Sequence, residues 1–258
     1  MRRLPSTFYT AVVHAAFPTI DADRSVYVDS SYLAFAPFAE ALWTALSRIT
    51  SFRSSHRQFS RWVEVRYPET ASTDAMYPEA ASANVMSPEA ASALGSQLVK
   101  LSCIQQLELS SNYIGADGVK SLGPHLAHLT SLQHLNLGRN ELGVQGVKLL
   151  VPHLANLTSL QQLNVRCNGI GGDGARLLGP HLAQLMCIQV LDLSRNQIDD
   201  IGVRSLGPHL AHLTSIQQLD LHGNHIEAAG VTALGPHVAQ LTCIQTLDLS
   251  ENLSVTAV

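Results

Sequence analysis

The sequence predicts an α/β solenoid, and three observations predict it. Residue types recur every 28 positions along the second half of the chain. Each unit joins a segment of period two to a helical one, and no insertion interrupts the spacing. Ile104, Leu132, Leu160, Ile188, Ile216 and Ile244 mark the period, as do Asn112, Asn140, Asn168, Asn196, Asn224 and Asn252. Gly118, Gly146, Gly174, Gly202 and Gly230 keep it, and so do Pro124, Pro152, Pro180, Pro208 and Pro236.

The elements of a unit follow in order. Leu107 and Leu109 alternate with Glu108 and Ser110, which suits a short strand buried on one side. Asn112 and its copies stand where the chain turns out of that strand. A turn inside a stack must find partners for its N–H and C=O groups, so these amides are expected to supply them. Gly118 opens the helical pattern, with Leu122, Leu126 and Leu129 on one face. Pro124 and its copies fall within that pattern. Proline lacks an N–H and clashes one turn back, so a kink or a break into two pieces is expected there. One coil cannot bury its apolar face alone, so stability belongs to the array.

The pattern LxxLxLxxNxI, followed by GxxxLxxxLxxL, resembles the leucine-rich-repeat family. The 28-residue period and the helix on the far side resemble its ribonuclease-inhibitor-like subtype. The resemblance runs from Pro88 to Asn252. It implies a right-handed leucine-rich-repeat solenoid, with a concave parallel β-sheet and convex helices. It also implies a protein partner held on the concave face or its rim, and it transfers no catalytic residue.

The array is expected to occupy residues 88–258. Residues 88–103 read as the helical half of a unit, with Leu94, Leu98 and Leu101 aligned on Leu122, Leu126 and Leu129. Pro88 suits a first helical turn, so this half-unit caps the start. Five full units follow. A sixth supplies Ile244, Leu247, Leu249 and Asn252 and then stops. Its bare strand edge would pair with another chain, or the chain is a truncated product or a fragment of a larger receptor or adaptor; truncation is the favoured reading. Residues 67–87 carry a decapeptide repeat, YPETASTDAM then YPEAASANVM, and read as an acidic linker. Residues 1–66 are a region of unassigned fold, partly helical over 32–49. Arg48, Arg53, Arg57, Arg61 and Arg66 lie there loosely along one stripe, which reads as a solvated face.

Composition narrows the function. The net charge of −4 argues against nucleic acid, which is held by many cationic contacts to phosphates. No apolar run reaches the length of a membrane span. Arg2 and Arg3 precede a short apolar stretch, but His14 and Pro18 interrupt it, so it is a poor signal peptide. No GxxxxGK[ST] motif is present, and no Ser/His/Asp or Cys/His set is suggested by spacing. His125, His153, His181, His209 and His237 occur once per coil, and packed helices are about 8–10 Å apart, too far for one ion to gather them. No cofactor or metal is therefore expected. Cys103, Cys187 and Cys243 share a repeat position two or three coils apart. Strands about 4.8 Å apart keep them beyond the roughly 7 Å that a disulfide tolerates. Free thiols point to a reducing compartment, and a cytoplasmic location is expected.

Three columns face outward from the predicted strand side. One reads Glu108, Asn136, Asn164, Asp192, Asp220, Asp248. The next reads Ser110, Gly138, Arg166, Ser194, His222, Ser250, and the third Ser111, Arg139, Cys167, Arg195, Gly223, Glu251. The last two change from coil to coil, whereas the convex segment barely changes from PHLAHLTSLQ to PHVAQLTCIQ. Diversity confined to one side points to contact there. The candidate partner-binding residues are Glu108, Asn136, Arg139, Asn164, Arg166, Asp192, Arg195, Asp220, His222 and Asp248. From residue 100 onward the single aromatic is Tyr113, so this face has arginine but no tryptophan or tyrosine anchor in those columns. The expected function is a non-enzymatic protein-interaction scaffold. A GTPase-activating regulator of the ribonuclease-inhibitor-like type is the alternative, and it rests on family analogy alone.

Overall fold

The computed structural model describes residues 25–29, 62–66, 86, 88–99 and 104–252. Eight strands form one parallel sheet in sequence order: β1 (Ser25–Asp29), β2 (Trp62–Arg66), β3 (Gln106–Glu108), β4 (His134–Asn136), β5 (Gln162–Asn164), β6 (Val190–Asp192), β7 (Gln218–Asp220) and β8 (Thr246–Asp248). Among the described residues, six helices line the other side: α1 (Pro88–Leu98), α2 (Gly115–Leu126), α3 (Gly143–Leu154), α4 (Gly171–Leu182), α5 (Asp199–Leu210) and α6 (Ala228–Val238). Strand and helix alternate from β2 to β8, so each strand returns to the sheet through a convex helix. The described residues form an α/β solenoid of stacked strand–helix coils.

From β3 onward, neighbouring strands pair equivalent residues of successive repeats, as Leu107 with Leu135 and Leu135 with Leu163. Adjacent coils are joined by an invariant backbone pattern. The Gln105 carbonyl accepts from both Gln133 N–H and His134 N–H at 2.8 Å, and each later coil repeats the fork. Between sheet and helices runs a continuous apolar core. Leu191, Leu193, Ile198, Val203, Leu206, Leu210, Leu213 and Ile216 are all fully buried in a single coil. Each such side chain contributes about 1.5–3 kcal/mol relative to exposure, and the core they form is continuous with that of the coils on both sides.

The asparagines close the turn behind each strand. Asn196 is fully buried. Its Nδ2 donates to the Val165 carbonyl of the preceding coil and to Leu193 and Ser194 of its own, at 3.0, 3.0 and 3.2 Å. Its Oδ1 accepts from Asn168 N–H at 2.8 Å. One amide thus satisfies both coils, as the sequence suggests. Its neighbours Arg195 and Gln197 are left-handed, at φ 54° and 59°.

Three features depart from the sequence reading. Helices α2 to α5 begin at Gly115 and its equivalents, ahead of Gly118 and its copies. The helices also run unbroken through their prolines, so of the expected kink or break the break does not occur. Pro124 lies in the last turn of α2, so it removes one N–H just before the helix ends at Leu126. Side chains one turn beyond the prolines then cover exposed carbonyls, as Asn156 does for Pro152 and Gln240 for Pro236.

The third departure concerns the start. The half-unit at residues 88–103 has a strand after all. Met86 is buried at the position equivalent to Ile114 one repeat earlier, and α1 packs on α2. The strand ahead of it is β2, where Trp62 pairs with Gln106, a separation well beyond one repeat period. This coil is therefore longer than the others, and the excess falls between β2 and Met86. The period hid β2 because its register is shifted. The expected helix over 32–49, Leu101, the decapeptide segment before Met86 and residues 253–258 lie outside the described residues.

The repeated Gly-Pro-His holds the helices together. A Cβ on Gly123 would fall 2.5 Å from His153 Cδ2, on Gly179 2.6 Å from His209 Cδ2, and on Gly207 2.5 Å from His237 Cδ2. Each imidazole therefore lies against the bare glycine of the helix before it. Burial lowers the pKa of His153 and of His209, and His212 adds to the effect on His209. The second coil has Val151 in place of glycine. The histidine next in line, His181, has a buried Nδ1 with no partner among the described residues. Among the described residues no three His, Cys, Asp or Glu side chains are grouped to hold a metal ion.

The packing makes the amide and the glycines testable. Asn196→Ala strands carbonyls in both coils and should cost about 3 kcal/mol, lowering Tm by roughly 6–12 °C. An unchanged melting curve by circular dichroism would remove the amide from its structural role. Gly179→Ala should destabilise by about 1–3 kcal/mol as the His209 ring is forced aside. Gly235→Ala should do the opposite. Nothing lies within 4 Å of a Cβ there, so the better helix former should add about 0.5–1 kcal/mol. Melting curves of the two variants check the contrast.

Candidate partner-binding face

The strand-side columns take their geometry from the turn that the asparagines close. The third strand residue of each coil points outward from the sheet and is half-buried: Glu108, Asn136, Asn164, Asp192, Asp220 and Asp248. Each accepts a hydrogen bond from a backbone N–H shortly ahead in the chain. Asn136 Oδ1 takes Gly138 N–H, Asn164 Oδ1 takes Arg166 N–H, Asp192 Oδ1 takes Ser194 N–H and Asp220 Oδ1 takes His222 N–H, each at 2.9 Å. Glu108 and Asp248 do the same for Ser110 and Ser250. This is the Asx-type local bond that short polar side chains favour. One oxygen per residue thus serves the fold, which explains why the column keeps to Asp, Asn and Glu. In Asn164, Asp192, Asp220 and Asp248 the other atom has no partner among the described residues, whereas Asn136 and Glu108 use theirs on each other.

Register stacks these groups on neighbouring strands. Asp192, Asp220 and Asp248 are aligned partners, so three carboxylates stand side by side. Burial, the largest cause, raises the pKa of Asp220, and Asp192 and Asp248 add their charges; the His222 N–H bond and His222 itself pull the other way. At the outer coil, hydrogen bonds from the Ser250 hydroxyl and N–H lower the pKa of Asp248. At the other end Asn136 Nδ2 donates to Glu108 Oε2 at 2.8 Å, so the single early carboxylate is tied to an amide.

The third column occupies a left-handed turn. Ser111, Arg139, Cys167, Arg195 and Glu251 have φ between 48° and 59°, and Gly223 has φ 64°. The side chains splay along the rim as a result. Gly223 has a specific consequence. The Arg195 Cγ would lie 3.1 Å from a Cβ at this position, so the absent side chain lets Arg195 cross an entire coil. It reaches Glu251 two coils on, with Nη2 2.9 Å from Oε2. The same Nη2 is 3.1 Å from His222 Nε2. Ser250 gives its hydroxyl proton to Asp248 Oδ1 and lies 2.9 Å from His222 Nδ1. Ser250 Oγ therefore accepts from His222 Nδ1–H, while His222 Nε2 faces both Arg195 Nη2 and Glu251 Oε2, the latter at 3.2 Å. The four side chains and Asp248 form one network.

Of the ten residues predicted for this face, all lie on the strand side or its rim, but they do not form one cluster. Arg195, Asp220, His222 and Asp248 gather at the last coils. Arg139 and Arg166 lie apart from them and have no ion-pair partner among the described residues. The Arg166 Nε is buried and unpartnered there. Sequence reasoning left Glu251 out of the candidate set, because its partner Arg195 stands two coils away. Only the column alignment, with Gly223 between the two, could have disclosed it. Cys167, Cys187 and Cys243 are free, the first half-buried and the others exposed, and Cys103 lies outside the described residues. No helix among the described residues is long and apolar enough to cross a membrane.

A family model described as Leucine Rich repeat matches residues 100–123, 128–151, 156–179, 184–207 and 212–235. No curated protein matches the chain. Among solved structures, the chain is similar to the leucine-rich-repeat ectodomain of the Arabidopsis receptor kinase HAESA, solved in complex with an N-terminally extended IDA peptide hormone ligand. Identity is 20% over 62% of this chain and 27% of that one, with a TM-score of 0.36. It is also similar to an internalin, inlF, from Listeria monocytogenes, at 21% identity over 62% and 58% of the two chains, TM-score 0.32. A third is TLR13 in a complex with ssRNA13, at 17% identity over 78% and 34%, TM-score 0.35. The chain spans less than two thirds of each of these proteins.

The aspartate column generates a prediction. Asp220→Asn keeps the oxygen that accepts from His222 N–H and removes a charge between two others. A raised folded-state pKa means stability that is present in acid and lost as the pH rises through it. The variant should thus be more stable than the parent at pH 7, by about 0.5 kcal/mol, with the gain fading as the pH falls through the carboxylate range. Paired melting curves from pH 7 to pH 3 check it, and a variant that melts lower at pH 7 would contradict the repulsion.

Proposed function

The chain carries five leucine-rich repeats, and from that premise we propose that it is a non-enzymatic protein-interaction scaffold that holds its partner on the concave face. One observation carries the reading: residue identity varies along the two outer columns of the strand side while the convex side is nearly uniform. The packing gives that contrast its weight. Convex glycines, histidines and leucines are tied to neighbouring coils, so their uniformity is accounted for by structure. Arg139 and Cys167 in one column, and Arg166 and His222 in the other, stand at equivalent positions without any such demand for one residue type. A rigid array with a varied rim suits recognition, because the partner-facing groups need little ordering on binding.

The finer assignments are consistent with this role. The 28-residue coil with a full helix on its convex side is the ribonuclease-inhibitor-like form. Free thiols at Cys167, Cys187 and Cys243 suit a reducing compartment, and the cytoplasm is the proposed location. The partner-facing set is Glu108, Asn136, Arg139, Asn164, Arg166, Asp192, Arg195, Asp220, His222 and Asp248. No cofactor is needed for the role.

Proximity labelling and affinity capture with the full chain test the proposal. A variant with Arg139, Arg166 and Arg195 all changed to Glu should recover partners in at most about a tenth of the parental yield, the loss expected when a central charged anchor is reversed. A convex control, Arg176→Glu with Arg204→Glu, should recover them unchanged. Identical partners in identical yield from both variants would place recognition away from the concave face.

A further inference from the structure

Three atoms of the network at the last coils form a triangle. Arg195 Nη2 lies 2.9 Å from Glu251 Oε2 and 3.1 Å from His222 Nε2, and Nε2 lies 3.2 Å from the same Oε2. The tautomer of the ring is set from its other side. Ser250 Oγ donates to Asp248 Oδ1 at 2.5 Å and so accepts from His222 Nδ1–H at 2.9 Å. Neutral His222 therefore keeps its lone pair on Nε2, inside the triangle, where Arg195 Nη2 can donate to it as well as to Glu251. A second proton has only Nε2 to go to. There it meets a guanidinium, which carries donors and no acceptor, and the two cations compete for one carboxylate oxygen. The charges around the ring come from three coils. Arg195 stands in the coil before it, with Asp192 aligned beside Asp220. Asp220 lies on its own strand, and Asp248 and Glu251 in the coil after it. Asp220 and Asp248 interact with the ring through charge, and Glu251 is within bonding distance.

We propose that His222 is a proton-operated latch on the rim: neutral, it holds Arg195 together with Glu251 across Gly223, and protonated, it takes Glu251 for itself and releases Arg195. The ring is the group that stays. Its side chain is 18% exposed and pinned through Nδ1 to the Ser250–Asp248 pair, whereas the Arg195 side chain is 47% exposed and ends a flexible stem. On protonation Nε2–H donates to Oε2, and the like charge beside it drives the guanidinium off. Arg195 gives up only a surface ion pair, a contact of small worth in water. Gly223 puts no side chain in its way. Histidine is the side chain that ordinarily changes charge between pH 5 and 8, so Arg195 is held above that range and free below it. The use of the latch rests on the scaffold reading, in which Arg195 is a partner-facing residue. Acid then supplies a free cation to the part of the rim where the aspartates stand, and neutral pH withdraws it. The latch itself needs no partner.

The accessibility of Arg195 tests the latch. The full chain is treated with phenylglyoxal, an arginine-selective reagent, at about pH 8 and about pH 5.5, which bracket the ordinary histidine range. Peptide mass spectrometry gives the rate at Arg195 divided by the rate at the exposed convex Arg204, so the reagent's own pH dependence cancels. In the parent this ratio should rise about threefold on going to the lower pH, the size expected when a surface ion pair is lost. His222→Ser installs the residue that Ser194 and Ser250 supply at the equivalent position of the coils on either side, so the variant keeps the fold. Its ratio should be the same at both pH values. Glu251→Gln should raise the ratio already at the higher pH and remove most of its pH dependence. An equal parental ratio at the two pH values would overturn the proposal, as would a rise in His222→Ser as large as the parent's. A Glu251→Gln ratio no higher than the parent's at the higher pH would overturn it too. The measurement involves no partner, so none of these results touches the scaffold reading, which stands or falls on the capture experiment.

Discussion

Each coil turns out of its strand through a buried asparagine whose amide bonds to two coils at once. Nδ2 reaches carbonyls of its own coil and of the one before, and Oδ1 receives an N–H from the preceding asparagine. The turn must pass through the interior, and its peptide groups have no water to bond to. Because the amide spans two coils, it sets their relative register as well as closing the turn. The pairing of equivalent strand residues, the alignment of the outward columns and the left-handed rim all inherit that register.

The convex side is committed to the same task by different means. Bare glycines receive the imidazoles of the next helix, and the leucines between sheet and helix form one core. Val151 stands in place of the glycine in one coil, and the His181 Nδ1 of the next is buried without a partner among the described residues. A proline in the last helical turn is compatible with this because it forfeits a single bond near the end of the helix. Little of the convex side is therefore free to vary, and variety accumulates on the strand side.

On that side the fold and the surface share the same atoms. An Asp or Asn in the strand uses one atom to accept a backbone N–H and offers the other outward. This dual use restricts the column to acceptor-bearing residues while leaving its charge adjustable. Glu108 is followed by amides in the next two coils and by aspartates in the last three, so negative charge gathers at the late end. Arg195 is paired at that end because Gly223 opens a path to Glu251.

Much of this was legible in the sequence. The repeat period, the alternation at Leu107 and Leu109, the helical leucines and the structural use of the asparagines are local patterns. A local pattern repeated without insertion determines a stack, because a solenoid is built from contacts between equivalent residues of adjacent coils. The identity of the outward columns followed from the same periodicity. What lay beyond it was whatever broke the period or skipped a coil. β2 joins the sheet at an offset longer than one period, with Trp62 opposite Gln106, so no repeat signal announces it. The Arg195–Glu251 contact spans two coils and depends on a missing side chain between them. The unbroken helices required knowing that each proline falls in the last turn. The sequence by itself determined the coil and its direction of stacking. Only the tertiary structure decided which arginines are neutralised, because that depends on side-chain reach across coils, and periodicity carries no information about reach.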